Sequence, residues 1–241
     1  DPNGNPIALY DNTTLFSAKS TKINGRYMYH SMDAGRLKGS NNFWMYMGTG
    51  DYERLTAKEA SPTDPEFDNL LIGIRDKDFP YYKNVATVQL ADNLDDCSDT
   101  TTDDTGILCP SSSQRGWVIH LSNAEKVTAE PTLNKGRVLF PIFQPTQSVN
   151  TCTTGKALIC NVDAKCGTPK NTEIGSANDL DCLEVGTGVL SKIVVFGNKL
   201  FANIAGEANV GSSQPGKTDL VSINAASTII ESFRNSWREN F

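Results

Sequence analysis

Hydrophobic and polar positions alternate along this chain in short bursts. The pattern is clearest between residues 116 and 143, GWVIHLSNAEKVTAEPTLNKGRVLFPIF. This run predicts three strands, at 117–121, 126–133 and 137–143, each built from β-branched, aromatic and aliphatic residues. Polar turns, Ser122-Asn123-Ala124-Glu125 and Asn134-Lys135-Gly136, separate them. Strands joined this tightly predict an antiparallel meander, the unit from which β-propeller blades are made.

The same reading extends to both sides. Strands are expected at 15–18 and 27–30, at 42–47 ending in Gly48-Thr49-Gly50, and at 70–74, 85–90 and 157–161. A charged segment at 51–68 leaves room for one or two helical turns at 53–60. Residues 189–196 and 199–205 read as a hairpin on Gly197-Asn198, a pair that favours the primed turns matching strand twist. Residues 220–223 and 228–237 read as a closing strand pair. The total is about a dozen short strands, near three blades, where a closed propeller has four or more. The expected fold class is therefore all-β, with antiparallel meanders forming part of a β-propeller and with disulfide-bearing loops. Another antiparallel architecture is the alternative, since no fixed-period repeat is visible.

Composition narrows the function classes. The 241 residues carry a net charge of −6 and no dense Lys/Arg block, which argues against nucleic acid. No apolar stretch approaches the length of a membrane-spanning helix. The chain opens without a signal peptide, on DPNGNPIALYDN, which reads like the middle of a larger protein. Six cysteines, Cys97, Cys109, Cys152, Cys160, Cys166 and Cys182, include no CxxC pair and have no histidine nearby. An even count in loop-rich segments points to disulfides, and so to a location outside the cytoplasm.

Candidate chemistry is sparse. There is no G-x-S-x-G elbow, and the only histidines, His30 and His120, read as packing and strand-face residues. Gly48-Thr49-Gly50 and Gly186-Thr187-Gly188 lack the further glycines of a phosphate loop and read as tight structural turns beside strands. The acidic loop 91–106 holds Asp92, Asp95, Asp96, Asp99, Asp103 and Asp104. Clustered carboxylates suit calcium, although the ordered ligand pattern of a calcium loop is missing and a solvated loop is the plainer reading. Asp1-Pro2-Asn3-Gly4-Asn5 begins like a calcium loop but has Pro6 at the turn. A Cys97–Cys109 bridge would close most of the acidic loop, at a gain of roughly 3 kcal/mol. Cys152, Cys160, Cys166 and Cys182 then allow three connectivities. Asn12-Thr13-Thr14 matches a glycosylation acceptor pattern.

Three segments taken in order resemble the C-terminal propeller of the PilC/PilY family of type IV pilus tip-associated adhesins and biogenesis factors. The first is Tyr46-Met47-Gly48-Thr49-Gly50-Asp51-Tyr52 with the strand 68–77 that follows it. The second is the opening run with Pro145 and Cys152 downstream, and the third is Ser236-Trp237-Arg238-Glu239 near the end. The resemblance spans residues 15–241. It implies that residues 1–241 are the C-terminal part of a propeller, a fragment of a longer chain. It further implies a non-enzymatic, extracellular role at the pilus tip, reached by export through the periplasm. The implied partners are minor pilins, a host or abiotic surface receptor and the remaining propeller sequence. Recognition is expected in the loops 51–68, 91–106 and 146–184.

The departures are specific. Asp51 stands where the family has a basic residue, Thr153-Thr154-Gly155 replaces a Gly-Gly, and the calcium loop that normally lies upstream has no clean copy here. The competing readings are a quinoprotein-like or glycan-acting propeller enzyme, and a purely structural secreted subunit.

Overall fold

The computed structural model describes residues 16–18, 20–53, 55, 68–76, 89–90, 95–96, 115–121, 124–146, 155–167, 181–208, 220–224 and 232–233. Among them the regular elements are all strands. In chain order these are β1 Phe16–Ser17, β2 Asp33–Leu37, β3 Phe43–Gly48, β4 Asn69–Asp76, β5 Gln89–Leu90, β6 Asp95–Asp96, β7 Gly116–Leu121 and β8 Lys126–Val127. They continue with β9 Thr132–Asn134, β10 Arg137–Gln144, β11 Lys156–Asp163, β12 Asp181–Leu190, β13 Val194–Phe196, β14 Lys199–Ala208, β15 Leu220–Asn224 and β16 Ser232–Phe233.

Two main sheets result. One runs β16-β2-β3-β4-β7-β6; the other runs β13-β14-β12-β11-β10-β8, with β15 on β14 and β9 on β10. All neighbours in them are antiparallel except β6 on β7. The short β1–β5 pair is also parallel.

Period-two geometry explains why the central strands read as unbroken apolar runs. Successive side chains leave opposite faces of a strand, and here both faces are covered. On β3, Trp44 and Tyr46 point into the core between the two sheets, while Met45 and Met47 join Leu70, Ile72 and Ile74 on the far side. On β10, Val138, Phe140 and Ile142 face the first sheet; Leu139 faces the opposite way with Ile159 and Val185. The shared core is aromatic at its centre. Trp44 stacks at 6.2 Å on Tyr46, Tyr46 tilts at 6.2 Å against Trp117, and Trp117 meets Phe140 of the other sheet edge-on at 6.5 Å. Both polar tips are satisfied by one acceptor: the Tyr46 hydroxyl and the Trp117 Nε1 donate to the Ala164 carbonyl at 3.0 and 3.1 Å. Gly73 makes room for the Trp117 ring, because a Cβ there would lie 2.3 Å from it.

Several expectations are corrected. The opening run is not one meander: β7 pairs with β4, whereas β8, β9 and β10 belong to the other sheet. Nor is 126–133 one strand. Val127 pairs with Ile142 and Thr132 with Leu139, so four residues on one side oppose two on the other. Pro131 falls in that excess and has no N–H to give to a ladder. The expected strand at 27–30 is absent; the ladder begins at β2, whose DAGRL has too little apolar content to signal a strand. Residues 181–190 form one strand, so Gly186-Thr187-Gly188 is not a turn. Gly188, at φ +111, instead lets β12 approach β14, where a Cβ would meet the Ala205 carbonyl oxygen at 2.1 Å. The two closing strands are not a pair: β15 lies on β14, while β16 returns to β2 in the other sheet.

Asp95 and Asp96, expected in an open acidic loop, form β6 beside Trp117 and Val118. The turn at Asn134-Lys135-Gly136 stands as expected, with Lys135 and Gly136 both at positive φ between paired Asn134 and Arg137. The hairpin on Gly197-Asn198 also stands, with Phe196 paired to Lys199, although its first strand is shorter than expected.

Candidate functional site

Gly48-Thr49-Gly50 closes β3 where the two sheets join. Its smallness is a packing demand. A Cβ on Gly48 would meet the Val127 side chain at 2.3 Å, and one on Gly50 would meet Lys126 Cβ at 2.8 Å. Thr49 is fully buried and binds in both directions. Its hydroxyl accepts from the Leu70 amide at 2.8 Å and reaches Asn69 Oδ1 at 3.4 Å, and its carbonyl accepts from the Val127 amide at 3.2 Å. Asn69 extends the network: its Nδ2 donates to the Glu125 carbonyl at 2.7 Å, and its Oδ1 accepts from Asn24 Nδ2 at 3.1 Å. The segment is thus the structural turn its sequence suggested, and it holds one sheet to the other.

Two charged side chains are buried at this junction. The Glu125 carboxyl is raised to about 7 by desolvation, opposed by a 2.7 Å hydrogen bond from Gln144 Nε2. Next to it, burial lowers the Lys126 amine, partly offset by Asp51; its Nζ donates to the Ala124 carbonyl at 3.2 Å. A second buried acid, Asp33, ties β2 to β9 by accepting from the Leu133 amide at 2.7 Å. None of the three was legible in the sequence, because nothing in their local pattern distinguishes a buried charged side chain from a solvated one.

Outside the junction the chain carries an open aromatic surface. The Gly50 amide donates to the Tyr27 carbonyl at 2.9 Å, which lays residues 27–32 along the turn. Tyr27, Tyr29 and Tyr52 remain 53%, 49% and 44% exposed, with Met28 and Met32 exposed beside them, so this is no buried strand. His30 packs as expected, its ring 5.8 Å from Tyr52 in an edge-on contact. Burial lowers its pKa, and Glu130 opposes that shift. Glu130 accepts from Ser31 Oγ at 3.0 Å and is ion-paired with Lys192. His120 is a strand-face residue, its Nδ1 3.4 Å from Asp68.

The cysteines are in part placed. Cys160 and Cys182 form a disulfide at paired positions of β11 and β12, so this bridge joins strands instead of stapling loops. Cys166 is also disulfide-bonded. Cys97, Cys109 and Cys152 lie outside the described residues, as do Asp92, Asp99, Asp103, Asp104, residues 1–5, Asn12, most of the helical turns expected at 53–60, residues 85–88 of the strand expected at 85–90 and the tail 236–239. Among the described residues no three His, Cys, Asp or Glu side chains gather as a metal site, and the side chains of Asp95 and Asp96 are not among those described.

No family model matches this chain, and no curated protein matches it. Its fold is similar to the crystal structure of the Pseudomonas aeruginosa PilY1 C-terminal domain, with a TM-score of 0.53 and 14% identity over 80% of this chain and 46% of that one. The chain thus spans about half the length of that solved structure. The likeness is one of fold, and it agrees with an all-β chain of antiparallel sheets expected for part of a β-propeller. No helix among the described residues is long and apolar enough to cross a membrane.

Proposed function

We propose that this chain is part of a non-enzymatic, type IV pilus-associated protein that supports pilus assembly and surface adhesion by binding minor pilins at the pilus tip. One observation carries the reading. Two of the segments that resemble the PilC/PilY family, the Gly48-Thr49-Gly50 turn and the run beginning at Gly116, are far apart in sequence but meet at a single junction. There the Thr49 carbonyl accepts from Val127, and Gly48 and Gly50 abut Val127 and Lys126. These motifs answer to one packing demand, as motifs of a shared scaffold should. The likeness to the PilY1 C-terminal domain supports the same direction at the level of fold. A rigid sheet scaffold carrying loops at its faces is a physical basis for recognition without catalysis.

Deletion of the gene in its source bacterium tests the proposal, with surface pili counted by electron microscopy and attachment measured separately. Loss of surface pili, restored by complementation, is the expected result. Normal piliation with lost attachment would reduce the role to adhesion alone. Normal piliation with normal attachment would overturn it, and so would substrate turnover by the purified chain in a glycosidase or dehydrogenase screen.

A further inference from the structure

The chain passes from the first sheet to the second between β7 and β8, and Glu125 stands at the end of that crossing. Its main chain and its side chain are bound to different sheets. The Glu125 carbonyl accepts from Asn69 Nδ2 of β4 at 2.7 Å, and its carboxyl accepts from Gln144 Nε2 at the end of β10, also at 2.7 Å. Two further bonds close the same corner. The Val127 amide donates to the Thr49 carbonyl at 3.2 Å, and the Gly50 amide donates to the Tyr27 carbonyl at 2.9 Å. Ala124, at φ +56, takes the backbone through the left-handed region, and Glu125 after it is buried.

The surroundings suit a neutral carboxyl. The groups that meet Glu125 from β4 and β10 are the uncharged amides of Asn69 and Gln144. Charges on the neighbouring elements are turned to other partners. Lys126 on β8 donates to the Ala124 carbonyl at 3.2 Å and is acted on by Asp51, from the turn after β3. Lys156, opposite Gln144 on β11, is ion-paired at 2.8 Å with Glu184 of β12. A carboxylate here would lose its hydration and gain the Gln144 amide in return, a net cost that the protonated form avoids. Burial accordingly raises the carboxyl to about 7, with Gln144 opposing the shift.

We propose that Glu125 is a proton-operated latch between the two sheets: protonated, it holds the end of β10 to the β7–β8 crossing; ionised, it leaves Gln144 for water and lets the corner around Thr49 and Val127 open. The latch is closed on the acid side and open on the alkaline side, because the folded carboxyl keeps its proton to higher pH than a solvated glutamate. Opening is local: β11 and its neighbours stay folded while the corner exchanges with water. Residues 27–32, tied to the corner through Gly50, loosen with it. The latch belongs to the purified chain and stands or falls independently of the pilus reading.

Amide hydrogen exchange of the purified chain, followed by NMR and corrected for the intrinsic pH dependence of exchange, tests it. Protection of the Val127 amide is expected to fall by about tenfold or more between about pH 5.5 and about pH 8, and to end below that of Ile159 within β11. In Glu125→Gln, which keeps a partner for Gln144, Val127 protection should stay level over the same range. The carbon-13 resonance of the Glu125 carboxyl in the unaltered chain should titrate at about 7, in step with the loss of protection, a readout that needs no variant to fold. Level Val127 protection in the unaltered chain, the same fall in Glu125→Gln, or a carboxyl titrating near 4.5 would each overturn the proposal. So would equal protection of Val127 and Ile159 at about pH 8, since the corner would then open only with the whole fold.

Discussion

Tyr46 and Tyr29 sit near opposite ends of one structural join and have opposite fates. Tyr46 is wholly buried between two sheets, its hydroxyl spent on the Ala164 carbonyl. Tyr29 is about half exposed, its hydroxyl facing the carboxylate of Asp51. Both occur in runs that look alike in sequence, Phe43-Trp44-Met45-Tyr46-Met47 and Tyr27-Met28-Tyr29-His30. What separates them is the ladder. The first run pairs with β2 on one edge and β4 on the other, which turns alternate residues into two separate cores. The second pairs with neither, and its side chains are left at the rim. Large apolar residues thus mark an interior only where a strand partner commits their faces.

This contrast can be broken most severely at its buried end. Trp117→Ala removes the ring that bridges the sheets and leaves a cavity against Phe140, Tyr46 and Gly73. A loss of about 3–5 kcal/mol is expected in urea unfolding, and a loss below about 1 kcal/mol would show that the sheets do not depend on this contact. Replacing both Cys160 and Cys182 by Ala should cost about 3 kcal/mol by the chain-entropy argument for a sequence separation of 22, measured the same way.

Glu125 sharpens the comparison through pH. Its folded-state pKa, about 7, lies above the ordinary 4.5, so the folded chain holds this proton more tightly than the unfolded one. The stabilisation is complete below about pH 4.5 and disappears as pH rises through about 7, a span worth up to roughly 3 kcal/mol. Glu125→Gln keeps a partner for Gln144 and should flatten stability between pH 5 and 8, read from melts across that range. An unchanged slope would mean that another group titrates there. The smallest effect belongs to the rim: Tyr27→Ala should change stability by less than about 0.5 kcal/mol, and a larger loss would mean that the patch is covered in the folded chain.

Much of the architecture was legible along the chain. The strands around Trp44, Leu71, Trp117, Phe140 and Ile159 announced themselves by β-branched and aromatic runs between turn residues. Asn134-Lys135-Gly136 and Gly197-Asn198 announced their hairpins by the Asn and Gly they carry, Gly136 and Gly197 both lying at positive φ. Asp33–Leu37 was silent, because a strand containing Gly35, Asp33 and Arg36 carries no apolar alternation. The acids of the junction were silent for a related reason: Asp33 and Glu125 become unusual only when distant backbone closes over them. Residues 27–30 were misread as a strand because pairing depends on what lies opposite, which no local window contains.

The amino-acid sequence alone determined that this chain is all-β, where most of its strands and tight turns fall, and that its glycines at 48 and 50 stand beside a strand end. These are consequences of local sterics and of the two-residue repeat of a strand. Tertiary structure alone decided that residues 116–121 and 126–144 belong to different sheets, that Ser232–Phe233 returns to Asp33–Leu37, and that Cys160 bridges to Cys182. It also decided which tyrosines became core and which became surface. Strand partnership is a choice among many distant segments with similar hydrogen-bonding capacity, and it is settled by how whole faces pack.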